Sequence, residues 1–590
     1  MKSPNVLFLM VDQLNYRDLG YMQHPVVKTP NLDKLREDSV TFNRCYVQNA
    51  FCLPSRACYL TGQYVFHHRE YGFTGLLDEH TPCMAAHFRD NGYRTFHVGK
   101  LHSNPLGENL GFDTLIPTLP EDIYQSTDMN TNYQVYCQEK GLGYPNDQVH
   151  GDGRFPGIRQ ALSSAETYNL GFVGVSDVPA CDSIEKYTAD RAIEFIQGEH
   201  DRPFFAHISF DRPHGPWSPS PEYANLYPYD QIPLPEKLSE EDLSTMPRHI
   251  QERVKEAGFS LAKMGAENMK KTLSLYYALI TQIDEEIGRI VGALKDKGLY
   301  ENTVIVFCAD HGEMAGYKGL FDKYSNKLYH DDIIRTPLLL KLPKQQSKGL
   351  EVNRITESID LFPTLCEICA VQPNSKPLDG VSLVPLTEKP ESARWEDQAF
   401  SESYSLKAVI TDKWKLIYYV NSPEGELYDL EADPEERKNL YAQPALQDTV
   451  LTLKLAIVRR MTGAVSPKRQ AYIRSLFDNT EVHRIAALEK LLKWEKGIVE
   501  GGGFWMLFRD GYRLTYLPFD EELNFETLAS PQPIDGTRWD YKACSDLKAL
   551  HACVDELIDY ISTKIRPISI MIGTQEERDN MLQTKGHGLC

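Results

Sequence analysis

Short, dense apolar runs alternate along this chain with longer amphipathic stretches. Val6–Val11, Thr95–Val98, Phe204–Ile208, Val304–Ala309 and Pro337–Leu342 are rich in β-branched, leucine and aromatic side chains. Runs of this kind predict strands buried on both faces of a sheet. The segment Asn268–Lys297 (NMKKTLSLYYALITQIDEEIGRIVGALKDK) instead repeats its apolar residues at helical spacing. Glu285 and Glu286 lie amid its apolar stripe, and Gly298 follows as a stop. Strand runs alternating with helical ones predict βαβ units. The expected fold class is therefore α/β, with a large mixed, mostly parallel sheet sandwiched by helices.

The pattern changes after Gly380–Leu386 (GVSLVPL), which places a domain boundary near residue 390. Residues 1–390 form the larger predicted domain. Residues 391–590 form a smaller α+β domain with a small antiparallel sheet, helices and an extension. Its predicted strands include Ala408–Ile410 and Lys415–Val420. Glu424–Leu440 reads as strand, turn and helix start, and helices are expected between Leu446 and Glu495. The aromatic segment FWMLFRDGYRLTYLPF reads as a hairpin around Asp510-Gly511. A core strand or an oligomer contact is a more ordinary use for it than a pocket wall.

Composition narrows the function. The 590 residues are 42% hydrophobic, enough for a large core and more than one domain. The net charge of −20 argues against nucleic acid or an anionic membrane as partner. An anionic substrate would have to meet a locally positive site. No apolar run is long enough to span a bilayer. Val6–Val11 ends on Asp12 and is short for a signal peptide, so a strand and a cytoplasmic location are expected, with a trimmed secreted form as the alternative. The 12 cysteines are sparse and unpatterned, and no disulfide framework follows. Cys366-Glu-Ile-Cys369 sits in an apolar helical stretch and reads as two core thiols.

Two predicted strands run into acidic turns, Asp12-Gln13 and Asp310-His311-Gly312. Ligands of open α/β sheets gather outside the carboxyl ends of strands, where carboxylates and amide oxygens can share a hard cation. Either aspartate alone reads first as a helix cap or loop residue; two such endings put the metal reading on an even footing with it.

The stretch AFCLPSRACYLTG, residues 50–62, decides the matter. Cys52-Leu53-Pro54-Ser55-Arg56 followed by Thr61-Gly62 resembles the signature of the type I sulfatases, within the alkaline phosphatase superfamily. Further elements follow in that family's order. Gly92-Tyr93-Arg94-Thr95 through Gly99-Lys100-Leu101-His102 resembles the second signature, Pro213-His214-Gly215-Pro216 the P-H-x-P segment, and Asp310-His311-Gly312 the second metal-binding turn. Lys323 in LFDK resembles the lysine after that turn. Arg335-Thr-Pro337 and Asp379-Gly380 fit structural landmarks. The resemblance covers about residues 4–440.

The resemblance implies that Cys52 is oxidised to formylglycine by a maturation enzyme. Its hydrate would attack sulfur, and the resulting hemiacetal would collapse to release sulfate. Asp12, Gln13, Cys52, Asp310 and His311 would form the site of a divalent cation, Ca²⁺ by preference, with Mg²⁺ or Mn²⁺ open. Arg56 would orient the nucleophile. Lys100, His102 and Lys323 would bind sulfate oxygens, and His214 or Lys323 would protonate the leaving oxygen. Arg212 and Trp217 join the expected substrate contacts. His67, His68, Arg69 and Arg154 are weaker candidates, lying near motifs or in loops.

The expected function is hydrolysis of a small alcohol, aryl or sugar sulfate. The nearest alternative is a phosphonate monoester or phosphodiester hydrolase of the same superfamily, which shares the cysteine signature and the Asp-Gln and Asp-His pairs. Lys100 and His102 favour sulfate. A non-catalytic sulfate-ester binder would need a lost nucleophile or lost ligands, and every position is occupied.

Overall fold

The computed structural model describes residues 3–72, 77, 81–102, 109–118, 132–142, 158–160, 173–255, 265–323, 327–372, 378–461, 497–501, 504–509, 512–517, 522–528 and 541–564. The apolar runs become the centre of one eight-stranded sheet. Its strands are β1 Asn5–Asp12, β2 Val40–Tyr46, β3 Arg94–Gly99, β4 Thr114–Pro117, β5 Phe204–Pro213, β6 Thr303–Ala309, β7 Arg335–Lys341 and β8 Glu351–Glu357. They lie in the order β8-β2-β7-β6-β1-β5-β3-β4. The pairs β6-β1, β1-β5, β5-β3, β3-β4 and β8-β2 are parallel. Strand β7 runs antiparallel to both neighbours, which makes the sheet mixed. Strands β1 and β6 are buried at every position, as a continuous apolar sequence requires of strands covered on both faces.

Helices supply the cover. Helix α1 spans Cys52–Thr61, α2 Ile184–Gln197 and α3 Ala266–Asp296. Leu273, Tyr276, Ile280, Ile283, Ile287, Ile290 and Leu294 recur at steps of three and four along α3 and enter the core with Leu7, Leu9, Ala206 and Ile305. The helix stops at Lys297, and Gly298 takes the left-handed conformation (φ 71°). Among the described residues no helix is long and apolar enough to cross a membrane.

The described chain divides into two compact units. One holds residues 3–403 and 433–438, the other residues 404–432 and 439–564. The division thus falls at Ser403, later than the change of pattern near 390. The strand Gln398–Glu402 explains the shift: Asn49 Nδ2 donates to Glu402 O, and Phe400 N donates to the Glu357 carboxylate, so this segment is tied to the first unit. The second unit contains an antiparallel run of Leu406–Thr411, Trp414–Tyr419 and Gly425–Asp429, and a five-stranded antiparallel sheet between Gly497 and Ala543. The aromatic segment forms two adjacent strands of that sheet, Phe504–Arg509 and Tyr512–Leu517. Its turn, Asp510-Gly511, lies outside the described residues. Helices Gln447–Met461 and Leu547–Lys564 accompany the sheets. The helix start expected before Leu440 does not form. Glu436 is left-handed (φ 53°), and Asp433 instead accepts from the amides of Arg437 and Lys438 in a turn. Cys366 and Cys369 are buried free thiols at the end of helix Leu361–Ile368.

Candidate active site

Register brings the chemistry together. Val11 lies level with Ala309 on one side and Phe210 on the other, and Ser209 lies level with Gly99. Four neighbouring parallel strands, β6, β1, β5 and β3, therefore end at one edge of the sheet. Asp310-His311, Asp12-Gln13, Asp211–His214 and Lys100–His102 stand at or just beyond those ends. Two of the groups adopt left-handed backbone, Gln13 (φ 60°) and His102 (φ 46°). Such conformations concentrate where surrounding contacts hold a functional side chain in place.

Helix α1 adds the nucleophile position. Phe51 is extended, and Cys52 is the first helical residue. Pro54 falls in the first turn, where a missing N–H has no helical partner to lose. Arg56 follows Cys52 by four residues and so shares its face. Tyr59 continues that face, donating through its hydroxyl to Ala309 O (2.9 Å), and Ser55 Oγ donates to Asp310 O. The spacing of C-x-P-S-R thus becomes a helix end aimed at the ends of β1 and β6.

Arg56 is 1% exposed and uses its whole fork. Nε donates to Asp310 Oδ2 (2.7 Å), and one terminal nitrogen donates to Lys100 O (2.8 Å) and Ser209 Oγ (2.7 Å). The other terminal nitrogen reaches Asp12 Oδ2 (3.3 Å). Lys100 Nζ lies 2.6 Å from the same oxygen. Burial pushes the Asp12 carboxyl up, but the charges of Lys100 and Arg56 outweigh it and hold its pKa well below the usual range. Burial and the neighbouring Asp12 charge push the Cys52 thiol up to about 11.

Asp12, Cys52, Asp310 and His311 each offer an atom within 4.8 Å of the others. Cys52 Sγ is 3.1 Å from His311 Nε2 and 3.7 Å from Asp12 Oδ1. Nδ1 of His311 lies 2.9 Å from Gly312 O. A carbonyl only accepts, so Nδ1 carries the proton and Nε2 presents a lone pair. Burial keeps that imidazole's pKa below its ordinary value and so favours the neutral form. Two carboxylates with a neutral imidazole fit a divalent cation. Gln13 joins them: its amide N donates to Asp310 Oδ1 (3.0 Å), and its Oε1 accepts from Lys323 Nζ (2.7 Å). Lys323 Nζ also lies 3.1 Å from Cys52 Sγ and 3.4 Å from His311 Nε2.

His102 and His214 are held neutral beside this cluster. Burial depresses both, and the positive charges of Lys100 with Arg56, and of Lys323 with Lys100, respectively, depress them further. His214 Nδ1 lies 2.8 Å from Gly215 O, which leaves Nε2 as its other polar atom.

Other expected contacts lie elsewhere. Trp217 is buried in the core, its ring 4.7 Å from Tyr276 and 5.5 Å from Phe321, so its place is one of packing rather than a substrate wall. Arg212 turns to the carbonyl of Pro216 and lies 3.7 Å from Glu185. His67 pairs with Asp379, His68 Nε2 meets Cys58 Sγ (3.2 Å), and Arg69 is exposed. Arg154 lies outside the described residues. Sequence reasoning also passed over contributors. Ser209 holds Arg56, Tyr276 OH donates to Gln13 O (3.1 Å), and Glu313 accepts from Gln13 Nε2. Only Glu313 had a signal, its place directly after the Asp-His-Gly turn.

Known proteins resemble this chain in sequence and in fold. The Sulfatase family model matches residues 4–370, and that of the N-sulphoglucosamine sulphohydrolase C-terminal region matches residues 316–462. The chain is 29% identical to a choline-sulfatase of Rhizobium meliloti (strain 1021), over 75% of this chain and 83% of that protein. It is 26% identical to an arylsulfatase of Clostridium perfringens (strain 13 / Type A), over 78% and 95%. Among solved structures it resembles the phosphonate monoester hydrolase of Silicibacter pomeroyi, with a TM-score of 0.67 and 25% identity, over 78% of this chain and 95% of that one. With the larger family model matched across most of the sheet and all of the clustered residues, the chain belongs to the sulfatase family, within the alkaline phosphatase superfamily.

Proposed function

We propose that this chain hydrolyses a sulfate ester at the ends of β1, β3, β5 and β6, with Cys52 converted to formylglycine and a divalent cation held by Asp12, Gln13, Asp310 and His311. The observation that carries the reading is the convergence on Cys52 of two carboxylates, a neutral histidine, Lys323 and Arg56. A thiol with its pKa pushed up to about 11 is a weak nucleophile at neutral pH. Oxidised to formylglycine, position 52 supplies a hydrated aldehyde, for whose oxygens Sγ stands in here. The cation supplies charge to offset the ester's oxygens.

The chain's own groups do the rest. Arg56 orients position 52 through its hold on Asp310 and Asp12. Lys100 and Lys323 bring fixed positive charge to the sulfate. His102 donates to a sulfate oxygen as a neutral imidazole. Lys323 gives the leaving oxygen its proton, while His214, neutral with its proton on Nδ1 against Gly215 O, presents a lone pair at Nε2. One positioned acid contributes roughly 10²–10⁴-fold. A small alcohol, aryl or sugar sulfate is the substrate class.

A second reading is phosphonate monoester hydrolysis, favoured by the structural likeness to such a hydrolase. Lys100 and His102, both at the cluster, argue for sulfate.

Peptide mass spectrometry across Cys52, on protein co-expressed with a formylglycine-generating enzyme, tests the chemistry. The aldehyde peptide weighs about 18 Da less than the cysteine peptide. That mass, with aryl sulfate turnover abolished in Cys52→Ala, is the expected result. Full turnover by unmodified Cys52 overturns it, and an aldehyde enzyme preferring aryl phosphonate promotes the second reading.

A further inference from the structure

An amide side chain has two ends of opposite character, and only the oxygen end can face a cation. What decides which end of Gln13 faces the cluster is therefore part of the site. Two contacts hold the Gln13 backbone at a left-handed φ of 60°: its N–H donates to Asp310, and its carbonyl accepts from Tyr276 OH. With the side chain lying between Lys323 and Glu313, its amide has two settings, related by a half-turn. Lys323 Nζ, which can only donate, lies 2.7 Å from Oε1 on the cluster side. The Glu313 carboxylate receives Nε2 on the opposite side.

Glu313 is fully buried, and both its oxygens are committed. Oε1 accepts from the backbone amides of Ala315 (3.2 Å) and Asp322, while Oε2 accepts from Gln13. All three neighbours donate, so the site is built for a carboxylate with two accepting ends. The same residue ties down the turn behind Gln13, since Asn15 Nδ2 donates to Glu313 O (2.6 Å). The Asp322 amide is next in sequence to Lys323, so one carboxylate spans Gln13 and the loop that carries Lys323.

We infer that Glu313 is a positioning residue that sets the orientation of the Gln13 amide, turning its oxygen toward the divalent cation and Lys323. This rests on Gln13 being a cation ligand, as proposed above. The inference makes an uncommon demand on substitutions. In Glu313→Gln the single amide oxygen stays with the two backbone N–H groups, and the new NH₂ faces the NH₂ of Gln13. Two donors cannot pair, so Gln13 turns over and points its own NH₂ at the cation. In the double variant Gln13→Glu/Glu313→Gln the polarity is reversed but matched. The amide at 313 donates to one carboxylate oxygen at 13, and the other oxygen faces the cation. Gln13→Glu alone sets two buried carboxylates against each other.

The test is calorimetric titration of CaCl₂ and of MnCl₂ into chelator-stripped full-length protein, with thermal unfolding as a folding control. Wild type binds one cation. Glu313→Gln binds it about 10–100-fold more weakly, the usual effect of losing a group that orients a ligand. The double variant regains affinity over both single variants. Wild-type binding with an unchanged Glu313→Gln overturns the inference while leaving the metal reading intact. Wild type binding neither cation overturns both. Should Glu313→Gln fail to fold, a double variant that binds no better than Gln13→Glu is the overturning result.

Discussion

Single side chains here are decided by which atoms face them, and His24 shows how that becomes a measurable pH effect. Its Nδ1 accepts from the amides of Val26 (3.2 Å) and Val27 (2.9 Å), and its ring sits edge-on to Tyr277 at 4.8 Å. Burial pushes its pKa down to about 4 from an ordinary 6.5. Between those values the unfolded chain takes up a proton that the folded histidine resists, so stability is lost as pH falls through the window. His24→Asn keeps an acceptor near the Nδ1 position without a titrating ring. In urea unfolding, wild type should lose stability relative to this variant between pH 7 and 4.5. A constant gap between the two would show that His24 does not titrate in this way. At this scale the sequence was readable where spacing alone decides a neighbour: Cys52 and Arg56, four apart on one helix, face the same acids. It was unreadable where a tertiary contact decides. Nothing in FFAHISFDRP marks Ser209 as the partner of Arg56, and nearness to Pro213-His214 could not say that Trp217 turns inward to Tyr276.

Elements divide by how they are covered. Strands β1 and β6 announce themselves because both faces are buried and their interiors are continuous apolar runs. Strand β8 at the sheet edge reads EVNRITE, with polar residues interleaved, and β2 ends in partly exposed Asn43 and Arg44 before closing on Cys45-Tyr46. Neither carries the continuous run that reveals a central strand, and neither was foreseen. The antiparallel pairing of β7 with β6 and β2 was likewise not written in its own apolar run. Close approach between elements brings a prediction. Gly99 ends β3 with φ 108°, and a Cβ there would stand 1.8 Å from Ser209 O on β5. The Lys100 amide donates to that same oxygen (3.0 Å), so β3 and β5 cannot part without moving Lys100. Gly99→Ala should destabilise the protein by about 3 kcal/mol or more, as overpacking against backbone does. Turnover should fall with it. A variant with wild-type stability in calorimetry would show that the strands yield more readily than this geometry implies.

Across the whole molecule, charge sets a problem that the site answers locally. The chain carries a net charge of −20, yet the proposed substrate is an anion. Arg56, Lys100 and Lys323 outnumber Asp12 and Asp310 around Cys52, and all five are buried. Salt screens exposed charges with a Debye length of about 30 Å at 0.01 M and about 8 Å at 0.15 M, but reaches buried pairs far less. Added salt should therefore weaken the long-range repulsion of the surface while leaving the attraction at the ends of the strands nearly intact. For an anionic aryl sulfate, kcat/KM should rise by about 2–5-fold when NaCl is raised from 0.01 to 0.15 M. A zwitterionic sulfate ester feels no net surface field and should show little change over the same range. Equal responses from the two substrates would mean that salt acts on the protein rather than on the encounter. A fall for the anion alone would mean that the local positive field reaches beyond the site and outweighs the acidic surface. The paired measurement thus separates the charge that draws the substrate in from the charge that repels it.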